Sequence, residues 1–251
     1  MSFILTYGKP GTSKTTLAAT FTKLGHKVLF LDVDQKIKSM VNLQGLIESG
    51  DIKVIPIEAK LTESTLKQRI LTPQLAIAKR PLGYLEFCDR ISEIEASIKA
   101  GEPQEYQVLV VDSLTSLLEH LFRLIMSMSK KVKFEFDEWA IVLSNLEDFF
   151  YSMMALQPTF RHVNIIAHEQ AIYDEDSGRL LDILPAIQGS MRNKVGKYFE
   201  EVYHTSVKTS GKGVEYIVTT KPVGKCIART SRDLETTVPA DFSLIFKEEM
   251  S

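Results

Sequence analysis

A lysine followed by two hydroxyl residues, Lys14-Thr15-Thr16, stands directly after a turn that carries Gly8 and Gly11. That combination is chemistry for a chain of phosphates. Successive backbone N–H groups at a helix N-terminus satisfy charged oxygens, and the helix dipole favours the anion. The spacing follows G-x-x-x-x-G-K-[ST] from Gly8, which places Lys14 to reach β- and γ-phosphates and the Thr15 hydroxyl to ligate Mg²⁺. Gly8, Gly11, Thr12, Ser13, Lys14, Thr15 and Thr16 are therefore the candidate nucleotide-binding residues. Ser13 departs from the pattern. It stands where the second glycine belongs, and a serine there is strained if the position needs a positive φ.

Two acids and a histidine are candidates to complete such a site. Asp112 closes the apolar run of residues 108–111, the form in which a carboxylate holds the shell of a Mg²⁺ ion. Many strands end in aspartate, so the weight comes from its pairing with Lys14-Thr15. Asp34 lies at the end of a second apolar run, and carboxylates just past the C-terminal ends of core strands sit at the ligand edge of an open α/β sheet. It is the candidate to polarise an attacking water, with a solvated strand-end acid as the plainer reading. His168 ends a third run and is the candidate to report on the γ-phosphate, although a lone histidine is more often structural.

Residues of this kind need strands that end together and helices that start there. The runs 3–7, 27–31, 53–57, 107–111 and 163–167 read as strands buried on both faces of a parallel sheet. Residues 59–105 read as a helical insertion broken at Pro73, Pro81-Leu82-Gly83 and Gly101-Glu102-Pro103, whose second half keeps a helical period through Tyr84, Phe87, Ile91, Ile94 and Ile98. The helix after Ser113 carries an apolar stripe at Leu114, Leu117, Leu118, Leu121 and Ile125. The next one, with Asp137 as its N-cap, carries Trp139, Val142, Leu146, Phe149 and Phe150. Residues 201–207, 213–220 and 225–229 alternate as antiparallel strands do.

The 251 residues suit one α/β domain spanning 1–251, and 44% hydrophobic with 25% charged residues describes a chain that buries a core without staples. Cys88 and Cys226 lack metal-like spacing and read as inert, buried thiols in a reducing, cytoplasmic setting. The start lacks the basic flank of a signal peptide and no run approaches membrane-spanning length, so no membrane partner is expected. A net charge of −2 announces no nucleic acid, so any basic surface must be local. Local candidates exist. Lys130, Lys131 and Lys133 stand beside Phe134 and Phe136, a mixture that tracks a phosphate backbone and stacks bases, or equally a charged inter-helix loop anchored by phenylalanines. Arg192, Lys194 and Lys197 follow a polar loop and could contact a polyanion. Lys221, Lys225, Arg229 and Arg232 cluster near the last strands, either to complete a neighbouring subunit's site or as a basic edge that blocks aggregation.

Taken in order, the phosphate loop, the strands ending in Asp34, Asp112 and His168-Glu169, and the C-terminal hairpins resemble the RecA-like ATPase core. The likeness extends to the phage-encoded, single-domain ATPases of the Sak type, which act in single-strand annealing and recombination. It is carried by Tyr7-Gly8, Phe134, Asp137, Trp139, His168-Glu169, Ser177-Gly178, residues 185–189, Phe199-Glu200-Glu201-Val202 and Ala228-Arg229-Thr230-Ser231-Arg232. The resemblance implies an α/β, RecA-like P-loop NTPase core: a mostly parallel twisted sheet flanked by helices, with antiparallel strands at the C-terminal end. It implies ATP and Mg²⁺ as cofactors and single-stranded DNA as partner, bound through residues 126–137 and 171–197. It further implies a homo-oligomer, ring or filament, a single-strand DNA-binding protein as a further partner, and the host cytoplasm as location. By the same likeness Lys14 and Thr15 bind phosphate and Mg²⁺, Asp112 is the second-motif acid, and Asp34 falls where such enzymes usually carry a glutamate. One methylene less slows water activation. The rival readings are an ATP-gated scaffold with little turnover, a helicase-like motor and a small-molecule kinase.

Overall fold

A computed structural model describes residues 1–58, 83–129, 133–187, 189, 191–211 and 213–249. The apolar runs form strands β1 (Ser2–Gly8), β2 (Val28–Asp32), β3 (Ile52–Pro56), β4 (Val108–Asp112) and β5 (His162–Tyr173). Further along come β6 (Leu180–Pro185), β7 (Glu201–Ser210), β8 (Gly213–Thr219) and β9 (Thr237–Pro239). They lie in the order β3-β2-β4-β5-β1-β7-β8-β9, with β6 paired to β5. From β3 to β7 every neighbour is parallel, while β8 and β9 return antiparallel. This is the mostly parallel α/β sheet flanked by helices that the sequence leads one to expect, with antiparallel strands at its C-terminal end.

The period-two alternation of each strand feeds two cores, one per face. Phe3, Leu5 and Tyr7 of β1 join Leu29, Leu31, Leu109 and Val111 on one face. Helices α3 (Gly83–Lys99), α4 (Leu114–Ser129) and α5 (Phe136–Leu156) cover them with Phe87, Leu117, Leu121, Leu146 and Phe150. Ile4, Phe30, Val108 and Val110 face the other way, toward α1 (Lys14–Ala19) and α7 (Phe242–Ile245). Short helices α2 (Gln44–Glu48) and α6 (Met191–Lys194) fill connections. No described helix is long and apolar enough to cross a membrane.

Several sequence expectations are corrected. The fifth strand does not stop at Ala167: after His168 it leaves the parallel sheet and pairs with β6, a partner the local pattern cannot announce. Residues 225–229 form no strand and enter the sheet only as isolated bridges, and the sheet edge is supplied by β9 instead. The N-cap of α5 is Glu135, which forms a reciprocal capping box with Glu138, so Asp137 falls in the first turn. Cys88 and Cys226 are free but only half-buried, and burial pushes both thiols up, to about 11 for Cys226. Of the insertion, residues 59–82 lie outside the described residues, as do Lys130 and Lys131.

Candidate active site

The strand order puts β5 between the phosphate-loop strand and the strand ending in Asp112, so Gly8, Asp32, Asp112 and His168 all reach one edge of the sheet. In an open α/β sheet that edge is where ligands bind. Gly8 is there because nothing larger fits. A Cβ on it would lie 2.3 Å from the Thr205 hydroxyl and 2.4 Å from the Thr205 carbonyl oxygen. Gly11 turns the loop with φ +80, and Ser13 follows at φ 69, ψ 22, the left-handed region that a glycine would enter without strain.

Behind the turn, Lys14 is buried and its Nζ donates to the carbonyl oxygens of Gly8 (2.9 Å) and Lys9 (2.7 Å). Burial lowers its pKa, against the opposing pull of Asp112, Asp34 and Glu169. The Thr15 hydroxyl donates to Oδ2 of Asp112 at 2.5 Å. Asp112 is itself buried, and desolvation pushes its carboxyl up to about 6 despite that hydrogen bond, with Asp34 and Asp32 adding negative charge nearby.

Asp34 is held from several sides. Ser113 Oγ donates to its Oδ1 at 3.0 Å, Lys36 Nζ is 3.6 Å from its Oδ2, and His168 Nε2 is 3.7 Å from the same oxygen. Its backbone N–H donates to the Asp112 carbonyl at 3.2 Å. Burial alone would raise its pKa, but interactions with His168, Ser116, Ser113 and Lys36 outweigh it and hold the carboxyl well below the usual range. Asp32 acts one step back. It accepts the Lys36 and Ile37 N–H groups at 3.3 and 2.9 Å, which fixes the turn that presents Asp34.

Gly11, Ser13, Lys14, Thr15, Thr16, Asp34, Asp112 and His168 thus line one cleft of about 650 Å³. Thr12 faces away from it, with its hydroxyl 2.7 Å from those of Thr205 and bonded to the Lys9 carbonyl, so only its backbone can serve a ligand. The donors beside the loop are a hydroxyl and a carboxylate, hard oxygen ligands that fit Mg²⁺. A nucleotide with its Mg²⁺ would be held by the loop amides, Lys14, Thr15 and Asp112.

The remaining candidates lie elsewhere. Lys221 and Arg229 are exposed and line no part of the cleft. Arg232 is engaged within its own chain: it lies over the Phe246 ring at 4.0 Å, pairs with Glu248, and is 3.9 Å from Glu201. Its charge is thus engaged by contacts within its own chain. Lys194 and Lys197 border a groove of about 430 Å³ together with Arg229. Arg192 sits on α6 beside them. Lys133 is exposed next to Phe134, which packs against Phe122 and Trp139, while Phe136 is 87% exposed.

Sequence reasoning missed the residues that position the acids. Ser113 and Lys36 are each within two positions of a named aspartate, a signal that was available. Tyr216 of β8, which lines the far wall of the cleft with Asn42 and Ala240, gave no local signal because it arrives by a hairpin. A buried pair, His204 Nε2 with Glu169 Oε2 at 2.8 Å, likewise joins strands distant in sequence.

Comparison with known proteins matches residues 3–231 to the AAA domain family. No curated protein matches the chain. Among solved structures, the flagellar accessory protein FlaH from Methanocaldococcus jannaschii is similar at 13% identity, with 94% of this chain and 83% of that one covered and a TM-score of 0.47. A KaiC-like protein, PH0186 from Pyrococcus horikoshii OT3, is similar at 12% identity, with 95% and 84% covered and a TM-score of 0.45. The RadB recombinase is similar at 12% identity, with 94% and 84% covered and a TM-score of 0.47.

Proposed function

The chain belongs to the AAA domain family, a P-loop NTPase family that implies a nucleotide and Mg²⁺, and from that premise we propose that it is an ATP-dependent ATPase that binds single-stranded DNA as a homo-oligomer and assists annealing or recombination. The observation that carries the ATPase reading is the 2.5 Å contact of Thr15 with Asp112 at the foot of the phosphate loop, with Asp34 fixed beside it. Mg²⁺, when bound, neutralises charge on the β- and γ-oxygens. The chain's own residues do the rest. Lys14, now tied to two loop carbonyls, exchanges them for phosphate oxygens; Asp34 accepts a hydrogen bond from a water and aims it in line at the γ-phosphorus; His168 adjoins that carboxylate. The P–O bond to the leaving ADP breaks as the bond to water oxygen forms, and the water proton leaves with inorganic phosphate. Because Asp34 is held strongly acidic, it orients the water and does not store its proton.

Support for a nucleic-acid partner is local charge: Lys194, Lys197 and Arg229 around one groove, on a chain whose net charge is −2. A single-strand DNA-binding protein and an exposed Lys221 or Arg229 reaching a neighbour's site belong to the same proposal. A second reading, an ATP-gated scaffold with little turnover, is favoured by Ser13 in a strained conformation and by the short Asp34 side chain. Lys14→Ala is expected to abolish ATP binding in a titration, and undiminished affinity would refute the site. Steady-state phosphate release with and without single-stranded DNA separates enzyme from scaffold: stimulation above the Lys14→Ala control favours the enzyme.

A further inference from the structure

At the opposite edge of the sheet from the phosphate loop, three residues far apart in sequence converge. His162 opens β5 in register with Ser2, six residues from Gly8 along β1, which places it roughly 20 Å from the loop at about 3.3 Å per residue. His26 precedes β2, and Glu249 lies in the last described turn, Lys247–Glu249. Glu249 Oε2 is 3.0 Å from His162 Nε2 and 3.2 Å from His26 Nε2, and one ligand atom from each of the three residues lies within 4.8 Å of the others.

We propose that His26, His162 and Glu249 form a zinc-binding site, three protein ligands with a position open to water, that joins the C-terminal turn to the N-terminal edge of the sheet. Two imidazoles and a carboxylate are a zinc donor set, and zinc bonds of about 2.0–2.1 Å in tetrahedral geometry set ligand atoms about 3.3 Å apart. The two separations to Glu249 are close to that value already. Rigidity favours it as well: the His162 ring is fully buried, stacked on Phe21 with centroids 4.7 Å apart and held by Phe246 at 4.7 Å.

The charges around the cluster are also defined. Arg161 Nε donates to Glu249 Oε2 at 2.7 Å, and Arg232 Nη2 is 4.0 Å from Oε1. The Arg161 side chain is 48% exposed and can turn outward, whereas a zinc ion would take its place on Oε2 with water as fourth ligand. Arg161 is therefore a competitor for the site.

The test uses the full chain, stripped with chelator and kept free of nucleotide and Mg²⁺, titrated calorimetrically with Zn²⁺ alone. One equivalent is expected to bind, with a rise in thermal midpoint. Affinity should fall at least about tenfold in His26→Gln and in Glu249→Gln, both of which should still bind ATP. Arg161→Ala, an exposed change that removes the competitor, should bind zinc more tightly than wild type. Co²⁺ in place of zinc should give four-coordinate visible bands without a sulfur charge-transfer band, which excludes Cys88 and Cys226 as ligands. Failure of the folded wild type to take up zinc, unchanged affinity in both ligand variants, no gain in Arg161→Ala, or a thiolate band would each overturn the proposal. The cluster would then be a carboxylate–imidazole clamp and nothing more.

Discussion

Ser13 is the clearest residue-scale departure from its motif, and the structure gives it a physical meaning. A left-handed backbone costs a side-chain-bearing residue about 1–2 kcal/mol, while glycine adds about 0.5–1 kcal/mol of unfolded-state entropy. Ser13→Gly is therefore expected to stabilise the protein by about 0.5–1 kcal/mol in denaturant unfolding, with ATP affinity kept or improved. Asp112 makes the complementary case. Its carboxyl is raised to about 6 from an ordinary 3.8, so between about pH 4 and pH 6 the native state holds a proton that the unfolded chain has released. That contribution to stability is complete below pH 4 and is lost as pH rises through about 6. Asp112→Asn should accordingly raise the unfolding free energy at pH 7 by up to about 3 kcal/mol, and abolish phosphate release. In the wild type, Mg²⁺-dependent nucleotide binding should weaken as pH falls through the same value, measurable by titration between pH 5 and pH 8.

At the scale of elements, the phosphate loop is a junction of three strands. Gly8 pairs with His168 of β5 on one side and Thr205 of β7 on the other. Gly8→Ala would push a methyl group into the Thr205 backbone, which cannot rotate away, and should cost about 3 kcal/mol or more in thermal or denaturant unfolding. The parallel strands and the stripes of α4 and α5 were legible in the sequence, because buried strands are apolar runs and helices repeat their apolar positions. Lys14, Thr15, Asp34 and Asp112 were legible for the same reason: each sits at a fixed offset from a strand end. The extension of β5 beyond His168, the edge strand β9 and the Tyr216 wall were not, since each is decided by a partner far along the chain. Glu135 was missed as a cap because the neighbouring Asp137 satisfies the same local rule and only the reciprocal bond with Glu138 separates them.

For the whole molecule, the proposed DNA surface predicts a salt signature. Single-strand contacts contribute about −0.7 to the slope of log affinity against log salt for each phosphate neutralised. Replacing Lys194 and Lys197 by alanine should flatten that slope by about 1.4 without altering ATP binding, and an unchanged slope would remove this groove from the interface. The crosswise row of Thr205, Gly8 and His168 has a further consequence. The outer hairpin β7/β8, whose Tyr216 overlooks the cleft, and the strand that presents His168 are harnessed to the same glycine with no flexible joint between them. A sideways shift of that hairpin is therefore expected to move Gly8 and, across the same row, His168.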